Sequence, residues 1–204
     1  MAAAEERRIR SADGVVLEAE LLTAEAAEVA AVLCHPHPQY GGSMRSGLLG
    51  DLFRGLHAAG ITCLRFNFRG VERSEGAWGA GIAEQDDVVA ALDALSTEVG
   101  AGVPLWLVGW SFGADMALST RTPRIAGWCA IAPPLHFVAD LDGVGGDPRP
   151  KHFVLGERDD VVSVDRVRDV TASWRATTVD VVPGASHFFV GRSDAVVAAV
   201  AARC

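Results

Sequence analysis

The pentapeptide Gly109-Trp110-Ser111-Phe112-Gly113 lies between an apolar run, Pro104-Leu105-Trp106-Leu107-Val108, and the helix-like Ala114-Asp115-Met116-Ala117-Leu118. A strand, a five-residue turn and a helix in that order predict a very tight junction, with the central serine held at positive φ. Side chains two positions to either side of the serine would then collide, which accounts for glycine at both flanks. The serine hydroxyl is expected to project above the edge of a sheet. The plainer reading is a glycine-rich turn with a capping serine.

The rest of the chain predicts the sheet that such a turn needs. Continuous apolar runs cover Val29 to Cys34, Ile61 to Phe66, Leu105 to Val108, Ile125 to Ala132, His152 to Leu155 and Thr178 to Val182. Strands without alternation are buried on both faces, as in a parallel sheet. Helical patterns fall between them at 47–59, 82–96, 112–121, 164–176 and 193–203, so the fold class is α/β with a mostly parallel sheet and helices on both faces. Asp13-Gly14 turns an N-terminal hairpin, Glu6 to Arg10 and Val15 to Leu22, expected at an antiparallel edge. The glycines and prolines of Asp140 to Pro150 predict a surface loop.

The 204 residues, half of them hydrophobic, suit a single domain spanning 1–204. A net charge of −8 opposes binding to nucleic acid or an anionic membrane. The opening Met1-Ala2-Ala3-Ala4-Glu5-Glu6-Arg7-Arg8 has no apolar core of a signal peptide, and no stretch is long enough to span a membrane, so a cytoplasmic protein is expected. Cys34, Cys63 and Cys129 fall within strand-like runs as small buried hydrophobes, and Cys204 ends the chain. Their spacing predicts neither a metal site nor a disulfide framework, and no cofactor is expected.

A serine in such a turn becomes a nucleophile only with a base in hydrogen-bond reach and a carboxylate that orients the base. In a fold of this kind the chain order is serine, acid, histidine. Of the six histidines only His187 follows a late strand, in Pro183-Gly184-Ala185-Ser186-His187. His57 and His152 read as helix and strand residues, and His136 as a loop residue. Phe153-Val154-Leu155 runs into Gly156-Glu157-Arg158-Asp159-Asp160, so Asp159 is the candidate acid, with Asp160 its neighbour in competition and Asp140 or Asp142 one strand earlier. An oxyanion would need two backbone N–H donors. Phe112 offers one. The second belongs to His35-Pro36-His37-Pro38-Gln39-Tyr40-Gly41-Gly42, where the prolines have no N–H and His37 is the candidate, with Gln39 or Tyr40 as substitutes. His35 and His37, two residues apart with proline between them, read as loop-shaping residues rather than metal ligands.

These segments together resemble the α/β-hydrolase superfamily, and within it the small, lidless bacterial hydrolases of esterase or dienelactone-hydrolase type. The resemblance rests on His35-Pro36-His37-Pro38-Gln39-Tyr40-Gly41-Gly42-Ser43-Met44, on Phe66-Asn67-Phe68-Arg69-Gly70 continuing to Ser74-Glu75-Gly76, on the serine pentapeptide, and on Gly184-Ala185-Ser186-His187-Phe188-Phe189. It implies an α/β-hydrolase fold without a cap domain, with Ser111, Asp159 and His187 as nucleophile, acid and base. One departure is Glu72, where such proteins usually carry glycine. The function expected is hydrolysis of small carboxylic esters or thioesters through an acyl-enzyme. A peptidase or amidase of the same fold, or a non-catalytic binding protein that keeps the pocket, are the alternatives. Tyr40, Trp110, Phe137 and Phe188 are the candidate substrate contacts, with Trp78 and Phe189 as further aromatics that line a site or pack in the core. The partner expected is a small-molecule acyl substrate, and the protein a monomer or homodimer.

Overall fold

In the computed structural model, which describes residues 3–204, the apolar runs pair into one eight-stranded sheet. Its strands are β1 (Glu5–Arg10), β2 (Val16–Leu22), β3 (Ala30–Cys34), β4 (Thr62–Phe66), β5 (Leu105–Trp110), β6 (Ile125–Ile131), β7 (Lys151–Gly156) and β8 (Thr177–Val182), in the spatial order β1-β2-β4-β3-β5-β6-β7-β8. The N-terminal hairpin is the antiparallel edge, with Gly14 at φ 91° in its turn, and from β4 onward every pair is parallel. Serine-bearing β5 lies near the middle, flanked by β3 and β6.

The helices are α1 (Gly47–Ala58), α2 (Glu84–Val99), α3 (Phe112–Ser119), α4 (Leu141–Gly146), α5 (Val164–Thr171) and α6 (Ser193–Ala201). Because successive strand residues point to opposite faces, β5 splits between two cores. Leu105 and Leu107 pack with Val88 and Leu92 of α2, Met116 of α3 and Val167 of α5. Trp106, Val108 and Trp110 pack with Leu49 and Phe53 of α1 and Val196 of α6. Burial on both sides is why these strands read as unbroken apolar runs rather than alternating ones.

Two stretches differ from their sequence reading. Residues 140–150 include a short helix, α4, which Asp140 caps by accepting the Gly143 N–H at 2.8 Å. Its glycines had signalled a loop, yet Gly145 is small because a Cβ there would lie 2.7 Å from the Trp174 ring. That same Trp174 stacks edge-on against Phe153, and the chain leaves α5 at Thr171, short of 176, to deliver it. Residues 132–150, between β6 and β7, hold only this one short helix, so the sheet has no lid over its C-terminal edge. Among the described residues no helix is long and apolar enough to cross a membrane.

Candidate active site

Strand β5 delivers Ser111 at φ 54°, ψ −121°, in the left-handed region that a non-glycine residue enters at a cost of about 1–3 kcal/mol. The turn is tied to its neighbour by the Ser111 N–H, which donates to the Ile131 carbonyl at 2.8 Å. Both flanking glycines are sterically required. A Cβ on Gly109 would lie 2.2 Å from the Gly113 carbonyl oxygen, and one on Gly113 would lie 2.2 Å from that of Cys34.

From the serine a hydrogen-bonded chain runs across the tips of β7 and β8. Ser111 Oγ is 3.0 Å from His187 Nε2, and His187 Nδ1 is 2.9 Å from Asp159 Oδ2. An ionised carboxylate only accepts, so the proton of the neutral imidazole sits on Nδ1 and leaves Nε2 to accept from the serine. The other oxygen of Asp159 accepts the N–H groups of Val161 and Val162 at 2.9 and 2.7 Å. Burial alone would raise the Asp159 carboxyl, but the hydrogen bond from His187 and those from the two amides outweigh it and hold the group below the usual carboxylate range. Asp160 is exposed, and Asp140 is turned away, occupied by its helix cap and by Arg121 at 2.6 Å. Of the candidate acids the structure brings only Asp159 to His187.

On the other side of the serine the loop after β3 presses against the turn. The Gln39 N–H is committed to His37 Nδ1 at 3.2 Å and the Tyr40 N–H to the His37 carbonyl at 3.1 Å. Neither the His37 N–H nor the Phe112 N–H has an acceptor among the described residues. His35 is fully buried and holds the loop. Its Nδ1 meets the Pro36 carbonyl at 2.6 Å, its Nε2 accepts the Phe68 N–H at 3.0 Å, and burial pushes it down to about 4, so it stays neutral.

The candidate substrate contacts separate into two groups. Tyr40 and Phe188 are exposed and Phe137 is half-buried against Phe112, with ring centroids 5.2 Å apart. Trp110 is instead buried, and its indole N–H donates to the His187 carbonyl at 3.1 Å, so it braces the histidine loop from beneath and does not line an open face. Phe189 is likewise core. Glu72 adopts φ 48°, the conformation that favours glycine, and its carboxylate is held by Asn67 Nδ2 at 3.0 Å and by Arg45.

Two buried carboxylates escaped the sequence reading. Asp115 accepts the N–H groups of Leu135, His136 and Phe137 at 3.0, 2.8 and 2.9 Å. Glu84 accepts those of Gly79 and Gly81 at 2.6 and 2.8 Å. For Asp115 the available signal was a lone acid inside an otherwise apolar helix segment, Ala114-Asp115-Met116-Ala117-Leu118, whereas Glu84 opens the polar stretch Glu84-Gln85-Asp86-Asp87 and carries no such mark.

A mostly parallel sheet flanked by helices, with a serine raised on the turn after its central strand, defines the α/β-hydrolase fold, here without a lid. The model of the alpha/beta hydrolase domain family matches residues 28–199, and the chain belongs to that family. It is 34% identical over 169 residues to an uncharacterized protein of Rickettsia prowazekii, covering 78% of this chain and 71% of the other. Among solved structures it is similar to an alpha-beta serine hydrolase homologue from Coxiella burnetii, at a TM-score of 0.88 and 28% identity over 99% of this chain and 98% of that one. A serine hydrolase without a lid from Xanthomonas campestris matches at a TM-score of 0.86 and 28% identity, over 98% of this chain and 93% of that one.

Proposed function

We propose that this protein is a serine hydrolase that cleaves small carboxylic esters or thioesters through an acyl-enzyme. The observation that carries the reading is the unbroken chain from Asp159 through His187 to Ser111, ending on a serine held at φ 54° at the edge of the sheet. Ser111 Oγ attacks the substrate carbonyl while His187 Nε2 takes its proton. Asp159, held ionised, stabilises the imidazolium and keeps the ring in the required tautomer. The N–H groups of Phe112 and His37 donate to the developing oxyanion, a stabilisation worth about 3–4 kcal/mol per donor in comparable sites. His187 then gives its proton to the departing alcohol or thiol. Water attacks the acyl-Ser111 ester by the same route, which releases the acid and restores the serine. The substrate is a small molecule reached from an open sheet edge, and four free cysteines suit a reducing cytoplasm.

The test is covalent labelling with a fluorophosphonate followed by mass spectrometry, paired with ester turnover by Ser111→Ala. The adduct is expected on Ser111, and the alanine variant should lose at least about 10³-fold in rate. An adduct on Ser43 or Ser186, or a variant that keeps most of its rate, would overturn the assignment. Matched ester, thioester and anilide substrates separate this reading from a peptidase or amidase.

A further inference from the structure

The two sides of Ser111 rest on opposite cores. His187 is braced by Trp110, and its loop packs through Ala185 and Phe189 onto the α1 and α6 face. On the α2, α3 and α5 face, four loops converge on aromatic side chains. The His37 ring lies 4.7 Å from Trp78, 5.1 Å from Phe112 and 5.6 Å from Phe137, with Tyr40 at 4.7 Å on its outer side. Phe112 is the buried floor, His37, Trp78 and Phe137 are half-buried, and Tyr40 is 87% exposed. The loops that carry Trp78 and Phe137 are held by the two fully buried carboxylates, Glu84 and Asp115, whose oxygens accept the backbone amides of residues 79 and 81 and of residues 135–137. Burying a carboxylate against amides alone is costly, and here it holds two surface rings in place.

We propose that this shelf is the acyl subsite and that it selects planar aromatic acyl groups of the arylacetyl kind over saturated ones of equal size. The assignment to the acyl side rests on the hydrolase reading. The leaving group must face His187 to receive its proton, so the acyl substituent extends over the opposite face, where His37, Trp78 and Phe137 lie. An apolar wall of Leu and Val would favour the saturated ring for its larger apolar surface. Aromatic walls reverse that order, because ring edges and faces carry opposite partial charge and prefer tilted or edge-on partners. The rings already present meet one another in this way, tilted by 37° to 84°.

The experiment compares kcat/KM for methyl phenylacetate and methyl cyclohexylacetate, each divided by its rate of alkaline hydrolysis. Methyl esters keep an aromatic leaving group off the shelf. Wild type should favour the phenylacetyl ester by at least about threefold. Trp78→Leu and Phe137→Leu should each bring the ratio toward one, and because it is a ratio within one preparation, partial misfolding does not move it. A wild-type ratio at or below one, or a ratio unmoved in both variants, overturns the shelf while leaving the hydrolase intact. Should neither ester turn over while the fluorophosphonate still labels Ser111, benzylboronic acid must protect Ser111 at lower concentration than cyclohexylmethylboronic acid does, and equal protection overturns the proposal. Failure of the fluorophosphonate to label Ser111 would instead remove the hydrolase reading itself, and the shelf with it.

Discussion

The two flanks of Ser111 are built on different physics. On the histidine side, function depends on single atoms: two contacts of 3.0 and 2.9 Å and a carboxylate whose remaining oxygen is held by two amides. Hydrogen bonds weaken steeply with distance and angle, so that flank has an all-or-none character. The aromatic side consists of half-buried rings at centroid separations near 5 Å, where each contact is weak and many add up. Loss of one ring there is expected to grade the substrate preference, whereas loss of one atom on the other flank should stop the reaction.

The sharpest way to break this contrast is a one-atom change on each of two adjacent carboxylates. Asp159→Asn should lower kcat by about 10³- to 10⁴-fold by disrupting the His187 tautomer, while Asp160→Asn should cost less than about tenfold. The reverse order in steady-state kinetics would move the acid by one residue and detach the observed chain from catalysis.

A second probe addresses the turn between the flanks. Gly113→Ala places a methyl group 2.2 Å from the Cys34 carbonyl oxygen, where backbone rather than a flexible side chain must yield. Urea unfolding should report a loss of about 3 kcal/mol or more, since the sheet and the turn are both rigid there. A loss below about 1 kcal/mol would mean that the β3 loop is free to retreat, and the aromatic flank with it.

The mounting of the aromatic flank has its own signature in pH. Burial raises Asp115 from its ordinary 3.8 to about 6, against the pull of its three amide bonds. The folded protein therefore holds that proton more tightly than the unfolded chain, and this contribution to stability is lost as pH rises through that window. Measured against Asp115→Asn, wild type should lose relative unfolding free energy by at most about 3 kcal/mol between about pH 4 and about pH 7. A difference that does not vary with pH would show that the amides of residues 135–137 offset the burial entirely.

The smallest effect concerns aliphatic chain length. A methylene fully removed from water contributes about 0.8 kcal/mol, or roughly fourfold in kcat/KM, as long as a tunnel continues to cover it. Without a lid the gain should stop early, with p-nitrophenyl esters of about two to six carbons the best of the series. A steady climb beyond about ten carbons, measured below micelle formation, would mean that the shelf closes into a tunnel around long chains.

Much of this molecule was legible in one dimension because the signals are local. The apolar runs and the hairpin predicted seven of the eight strands to within about one residue at each end, and the eighth, β5, runs on past Val108 to Trp110 because the strand continues into the turn. The glycines around Ser111 announced the turn, since a steric clash within five residues depends on nothing distant. His187 stood out by its place after a late strand, whereas strand order left Asp159 in competition with Asp160 and with Asp140 or Asp142. Glycines misled in α4, where the local rule reads a loop but at Gly145 a distant ring, Trp174, dictates the small side chain.

What remained out of reach were the bracing and loop-holding roles, which depend on a partner far along the chain that no motif marks. The sequence by itself determined a parallel α/β sheet, a strained serine and the order of the candidate groups, because backbone sterics and side-chain periodicity act between neighbours. Only the tertiary structure decided that Trp110 holds the carbonyl of a residue 77 positions away, that Asp115 and Glu84 secure loops instead of facing solvent, and that Glu72 is tolerated at positive φ by Asn67 and Arg45. Those outcomes arise from desolvation. A buried donor or acceptor must find a partner wherever the fold provides one, and the identity of that partner is a property of three-dimensional packing.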